Sequence, residues 1–187
     1  MRRLVSHLIL TLDGVAKFDA VADAIGALRD TDEVLTHFFR RVADEDAMLL
    51  GRTTYEEWAQ YWPTSRVQPF ADHINRVPKY VASRTLTSAP WGDRPDASVL
   101  DGTLTESVRR LKAQPGGTIG VHGSPTLVES LLQEQLLDEL RLEIYPVIAG
   151  TGGRLFHDGR PSQRLRLMES TVTSNGVAIL SYQPAMT

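Results

Sequence analysis

Three stretches of the chain place small, hydroxylic or cationic residues where an apolar run stops, and each could hold an anion. In MLLGRTTYEEW, Gly51 and Arg52 precede a helix that opens on Thr53 and Thr54. Free backbone N–H groups at such an N-terminus favour negative charge, and a glycine lets a ligand come close to the backbone. In YVASRTL, the Ser83 hydroxyl and the Arg84 guanidinium could together bind a phosphate monoester. In GVHGSPTLVESLL, a turn of small residues leads into Ser124, a suitable N-cap, and Pro125, suited to the first helical position. Taken singly, each also reads as a turn, a strand exit or a helix start that needs no ligand. Their combination is more informative, because open α/β sheets bind ligands beyond the carboxyl ends of their strands, and three such ends could hold an adenine dinucleotide phosphate.

Other chemistries find no foothold. The chain has no GxxxxGK[ST] loop, no GxSxG elbow, no HExxH and no full GxGxxG. His7, His37, His73, His122 and His157 lack metal-ligand spacing, so no metal site is expected. The absence of cysteine removes disulfide frameworks, thiolate zinc sites and thiol nucleophiles together. A net charge of -3 gives no general attraction to nucleic acid or acidic membranes.

Elements must position these residues. Strand-like runs at 5–12, 47–50, 79–82, 98–100 and 118–121 alternate with helical segments, which predicts an α/β fold with a largely parallel sheet. The first helix is expected to start near Thr31, with Asp32 and Glu33 in its first turn and Val34, Leu35, Phe38, Phe39 and Val42 on its apolar face. Thr53 with Glu56, Thr54 with Glu57, and Thr103 with Glu106 each fit a capping box. Segments 63–78 and 87–102 read as surface connections or a lid. Asn175-Gly176 between two strand-like runs predicts a closing antiparallel hairpin with a type I′ turn, which makes the sheet mixed. At 187 residues without a biased segment, residues 1–187 read as a single domain. The N-terminal apolar run, although Ala20 to Ala22 follows it like a cleavage site, is interrupted by His7 and ended by Asp13, so it reads as a first buried strand. No apolar stretch reaches the ~20 residues of a membrane span, and a soluble cytoplasmic protein is expected.

The stretches TLDGV, LLGRTTYE, YVASRTL and above all HGSPTLVESLLQEQLLDELRLEIYPVIAGTGGRLF resemble the dihydrofolate reductase superfamily. They are most similar to the reductase domain of bifunctional riboflavin-biosynthesis deaminase/reductases and its stand-alone relatives, over nearly the whole chain. The resemblance implies a three-layer sandwich with a mixed, mostly parallel sheet and NADPH as cofactor. It places Gly51, Arg52, Thr53 and Thr54 along the pyrophosphate and toward the adenosine 2′-phosphate, Ser83 and Arg84 at the strand exit that reads that 2′-phosphate, and Val121, His122, Gly123, Ser124, Pro125, Thr126 and Leu127 in the pyrophosphate turn. It also implies a cis peptide, assigned to His122-Gly123.

The same resemblance implies a reductase of the 5-amino-6-(5-phosphoribosylamino)uracil type, with hydride transfer to a small heterocycle. Alternatives are a dihydrofolate reductase-like enzyme with another substrate and a nucleotide-binding domain without turnover. His7, Ile9, Phe39 and Trp58 or Trp62 are the implied substrate pocket. Asp13 is the implied polar participant, since it begins a loop that closes over the nicotinamide in the superfamily. An ungapped match puts Leu35 where dihydrofolate reductases carry the carboxylate that protonates substrate, which speaks against dihydrofolate. The HxE…PCxxC deaminase signature is absent. Relatives commonly form homodimers, and one is expected here.

Overall fold

The computed structural model describes residues 1–16, 32–159 and 161–185. Thr31, where the first helix was expected to open, and Ala20 to Ala22 lie outside them, as does the side chain of Asp32.

Strand β1 (Arg3–Thr11) has a neighbouring strand on each side and is buried along nearly its whole length, Ser6, His7 and Thr11 included. Around it the eight-stranded sheet runs β4-β3-β2-β5-β1-β6-β8-β7. It is built from β2 (Glu45–Gly51), β3 (Lys79–Ala82), β4 (Ser98–Val99), β5 (Thr118–Val121), β6 (Glu139–Tyr145), β7 (Leu165–Val172) and β8 (Ala178–Pro184). The first six pair in parallel; β8 pairs antiparallel with both β6 and β7. The expected mixed sheet and C-terminal hairpin are both present. Leu12, expected in the first strand, lies past its end and is exposed.

Helices α1 (Asp32–Val42), α2 (Arg52–Tyr61) and α3 (Phe70–Arg76) pack on one face, α4 (Leu104–Ala113) and α5 (Pro125–Gln133) on the other. Leu4, Leu8 and Leu10 of β1 join Val108, Leu111, Val128 and Leu131 in the core beneath α4 and α5. On the opposite face Met48 and Leu50 pack with Tyr55, Ile74 and Trp91, while Val34 meets Tyr145, Val177 and Ile179. Among the described residues no helix is long and apolar enough to cross a membrane.

Four local expectations are corrected. The hairpin closes through residues 174–176: Thr173 N–H donates to Val177 O at 3.0 Å and Gly176 N–H to Thr173 O at 2.9 Å. A type I′ turn needs two left-handed residues, but Gly176 (φ +85°) is left-handed and Asn175 is not, so the loop is a three-residue one. Helix α2 starts at Arg52 with Gly51 as its N-cap, two to three residues earlier than either threonine capping box requires, and neither box forms. Leu35 is exposed, since the face of α1 turned to the sheet carries Val34 and Phe38 instead. The segments at 63–78 and 87–102 are more than connections: α3 lies in the first, and fully buried Trp91 in the second donates its Nε1–H to Asn75 Oδ1 at 2.8 Å.

The Thr103–Glu106 capping box does form, in both directions. Thr103→Ala is expected to cost about 1 kcal/mol, lowering Tm by roughly 2–4 °C in a domain of this size; thermal unfolding checks it.

Candidate functional site

The carboxyl ends of β2 and β5 are locked together. Gly51 N–H donates to Gly123 O at 2.8 Å. A Cβ on Gly51 would lie 2.5 Å from Ser124 Oγ and 2.8 Å from Ser124 N, and one on Gly123 would lie 2.8 Å from Thr54 Oγ1. Gly51 is therefore required by the close approach of the Ser124 backbone, and Gly123 by its φ of +121°, with the Thr54 hydroxyl also in the way of any side chain there. The N-termini of α2 and α5 meet at this junction, and neither Gly51 nor Ser124 gives its helix a side-chain cap, in contrast with α4. First-turn N–H groups without a side-chain acceptor suit an anion, so the residues present fit a dinucleotide pyrophosphate.

The cis peptide is Gly123-Ser124, one bond beyond the expected His122-Gly123. His122 is held by its ring to Glu45, and the next residue, Gly123, has no side chain and a φ of +121°.

The remaining anion-site candidates divide. Arg52 is exposed and pairs with Glu56 one turn along α2, at 2.8 and 3.0 Å. Ser83 Oγ accepts from the N–H groups of Thr85 and Leu86 at 3.1 and 3.0 Å, closing the turn after β3. Arg84 beside it is exposed, with no ion pair among the described residues. Thr53 and Thr126 are exposed, Pro125 stands in the first helical turn, and Val121 and Leu127 point into the core.

Glu45 is the residue the sequence did not reveal. A register shift between Glu45 and Ala47 moves its side chain off the face of Ala47 and Leu49 and onto the face of His7. There its carboxylate, with no exposed surface, lies 2.8 Å from His122 Nε2 and 3.0 Å from His7 Nε2, the latter too bent for a good hydrogen bond. It occupies the space that any side chain on Gly120 would need. The two imidazoles stack, with centroids 5.4 Å apart. Burial pushes His7 down to about 4 against the pull of Glu45. Burial alone would raise Glu45, but the charge and hydrogen bond of His122, with His7 adding to them, hold it down at about 2. Among the described residues no group of three His, Asp or Glu is arranged to hold a metal ion.

Aromatic rings extend this pair. Trp58 lies 5.3 Å from His122 and packs edge-on against Trp62. Phe38 meets His7 edge-on at 6.0 Å, while Phe39, the expected pocket residue, turns instead to Phe70. Ile9 packs with Val34, Tyr145 and Ile179. His7, Trp58 and Trp62 are thus joined through His122, with Phe38 nearer than Phe39 and Ile9 one step away along β1.

Asp13 holds a loop. Its carboxylate accepts from Thr11 Oγ1 at 2.7 Å, Ala149 N–H at 3.0 Å and Gly150 N–H at 2.9 Å. The Thr11 hydrogen bond, followed by those backbone donors, lowers its pKa to about 2. An acid this strong carries no proton to give near neutral pH.

Residues 2–179 match the family model described as RibD C-terminal domain. Protein YyaP of Bacillus subtilis is 29% identical over 97% of this chain and 94% of its own. The fold is similar to that of a putative riboflavin biosynthesis protein from Shewanella sp. PV-4, with a TM-score of 0.81 at 20% identity, covering 98% of this chain and 99% of that one. It is also similar to dihydrofolate reductase from Enterococcus faecalis complexed with NADP(H), with a TM-score of 0.61 at 15% identity, covering 97% and 96%. A Thermotoga maritima diaminohydroxyphosphoribosylaminopyrimidine deaminase/5-amino-6-(5-phosphoribosylamino)uracil reductase gives 0.67 at 14% identity, covering 98% of this chain and 57% of that one.

Proposed function

The chain belongs to the RibD C-terminal domain family, and from that premise we propose that it is an NADPH-dependent reductase acting on 5-amino-6-(5-phosphoribosylamino)uracil or a close analogue. The observation that carries this reading is the junction of Gly51, Gly123 and Ser124, where two helices without side-chain caps present their N-termini side by side. The N–H groups at the start of α2 and α5 would hold the pyrophosphate, and Arg84 the 2′-phosphate. When bound, the cofactor supplies a hydride.

The protein's own residues do the rest. Trp58, Phe38 and the stacked pair of His7 and His122 form the wall against which a flat heterocycle would be oriented. Glu45 keeps the two imidazoles in place from below. Asp13 acts as a positioning residue by tying Ala149 and Gly150 to the end of β1. A homodimer belongs to the same reading: edge strand β7 leaves Leu167, Met168 and Val172 exposed, and a second copy would cover them.

Fluorescence titration with NADPH and NADH tests the cofactor assignment; binding of neither would end it. Arg84→Ala is expected to weaken NADPH by roughly 10–100-fold, the range of a lost hydrogen bond to a charged group, and to leave NADH nearly unchanged. Equal losses for both would remove Arg84 from the 2′-phosphate site.

A further inference from the structure

On the sheet face beneath α1 lie three buried glutamates, Glu45, Glu139 and Glu143. Two of them have close partners. Glu45 is held by His7 and His122. Glu139 accepts from Arg3 Nη2 at 2.7 Å, Arg141 Nε at 2.5 Å and Ser181 Oγ at 2.6 Å. Asp13, two residues past the end of β1, is saturated by its three donors.

Glu143 differs. Among the described residues no cation comes within ion-pair distance of it. Both nearby arginines are spoken for: Arg41 donates to Glu169 at 3.0 Å, and Arg141 to Glu139 and to the carbonyl of Arg41. Glu143 stands opposite Ile9 in the β1–β6 register. With His7, Leu8, Phe38, Arg41 and Arg141 it lines a cavity of about 10 Å³, room for about one water molecule.

We propose that Glu143 is the acid that carries the proton for this site, passing it across that cavity to the substrate. The inference rests on the reductase reading. A C=N or C=O bond takes a hydride at carbon, which oxidises the dihydronicotinamide, and a proton at its heteroatom. The O–H bond of Glu143 breaks as that proton leaves, and solvent reprotonates the carboxylate.

The electrostatics agree. Burial pushes Glu143 up to about 8, with Arg41 opposing, so the carboxyl keeps its proton at neutral pH. The ionisable groups around it are His7 on β1, Arg41 on α1, and Arg141 and Tyr145 on its own strand; β8 presents Ile179 in register. A carboxyl raised in this way contributes stability below its unfolded value near 4.5 that is lost as pH rises through about 8.

Carboxyl-carbon NMR of glutamate-labelled, NADPH-bound protein tests the first requirement without any substrate. One carboxyl should titrate near pH 8 and vanish in Glu143→Gln; finding none that titrates above pH 7 overturns the proposal. The thermal stability of Glu143→Gln should also lose the decline between about pH 4.5 and 8. Single-turnover oxidation of NADPH by 5-amino-6-(5-phosphoribosylamino)uracil tests the second requirement. The wild-type rate should fall as pH passes 8, while Glu143→Gln should be roughly 100-fold slower at pH 6.5 and flat with pH, and Glu143→Asp should restore part of the rate. A Glu143→Gln rate and pH profile like the wild type, with NADPH affinity intact in both, overturns the proposal and spares the reductase reading. Failure of wild type to bind NADPH removes both.

Discussion

Replacing Gly51 by valine is expected to abolish measurable dinucleotide binding and to lower stability together. The backbone at Gly51 (φ -73°, ψ 158°) suits any residue, so the obstacle lies outside it. The first added carbon would stand 2.5 Å from Ser124 Oγ and 2.8 Å from Ser124 N. A hydroxyl could rotate away, but a backbone nitrogen cannot, and the turn would have to move away from α2. Forcing extra carbon into a packed contact costs about 1–3 kcal/mol, or roughly 2–12 °C of Tm at this chain length. The functional loss should exceed the stability loss, because the two helix N-termini would no longer converge on one anion. Gly153→Ala is the control, since nothing lies within 4 Å of the added carbon and its φ is not positive. If Gly51→Val keeps its NADPH affinity while its Tm falls, the junction is structural and the cofactor lies elsewhere.

This junction was largely legible in the sequence, and the acid-base cluster beside it was not. Gly51, Gly123 and Ser124 stand at places where an apolar run meets a helix start, so local pattern finds them. The choice of cis bond was missed because composition does not say which peptide of a small-residue turn faces the neighbouring strand. Glu45 escaped for a stronger reason. Strict alternation assigns it to the face of Ala47 and Leu49, and only the register shift reverses that. The one available signal was Gly120, a glycine inside a central strand, which marks a place where something else needs the space. The sequence does not separate Phe38, beside His7, from Phe39, turned to Phe70, for a related reason: adjacent residues on a helix differ by 100°, and with Thr31 as its assumed start the apolar stripe admits both.

Glu45→Ala is expected to lower stability by about 3 kcal/mol at pH 7, because removing one partner strands the other polar groups in a buried site. His122 would lose its acceptor and His7 the carboxylate that lies 3.0 Å from its Nε2, with both rings still buried. The pH dependence carries the sign. His7 is lowered from 6.5 to about 4, so the unfolded chain binds the extra proton and stability falls as pH drops from 6.5 toward 4. Glu45 is lowered from 4.5 to about 2, so its contribution is present above 4.5 and is lost as pH falls from there toward 2. The two windows join into one acid limb, which Glu45→Ala should shorten at its lower end. Denaturant unfolding between pH 3 and 8 measures it. Gly120→Ala provides an independent approach, since its new carbon would collide with the Glu45 carboxyl. It should be destabilising alone and much less so in the Glu45→Ala background, where the space is vacant. Additive effects of the two substitutions would mean that Glu45 does not lie over Gly120, and the bridge between the imidazoles would have to be abandoned.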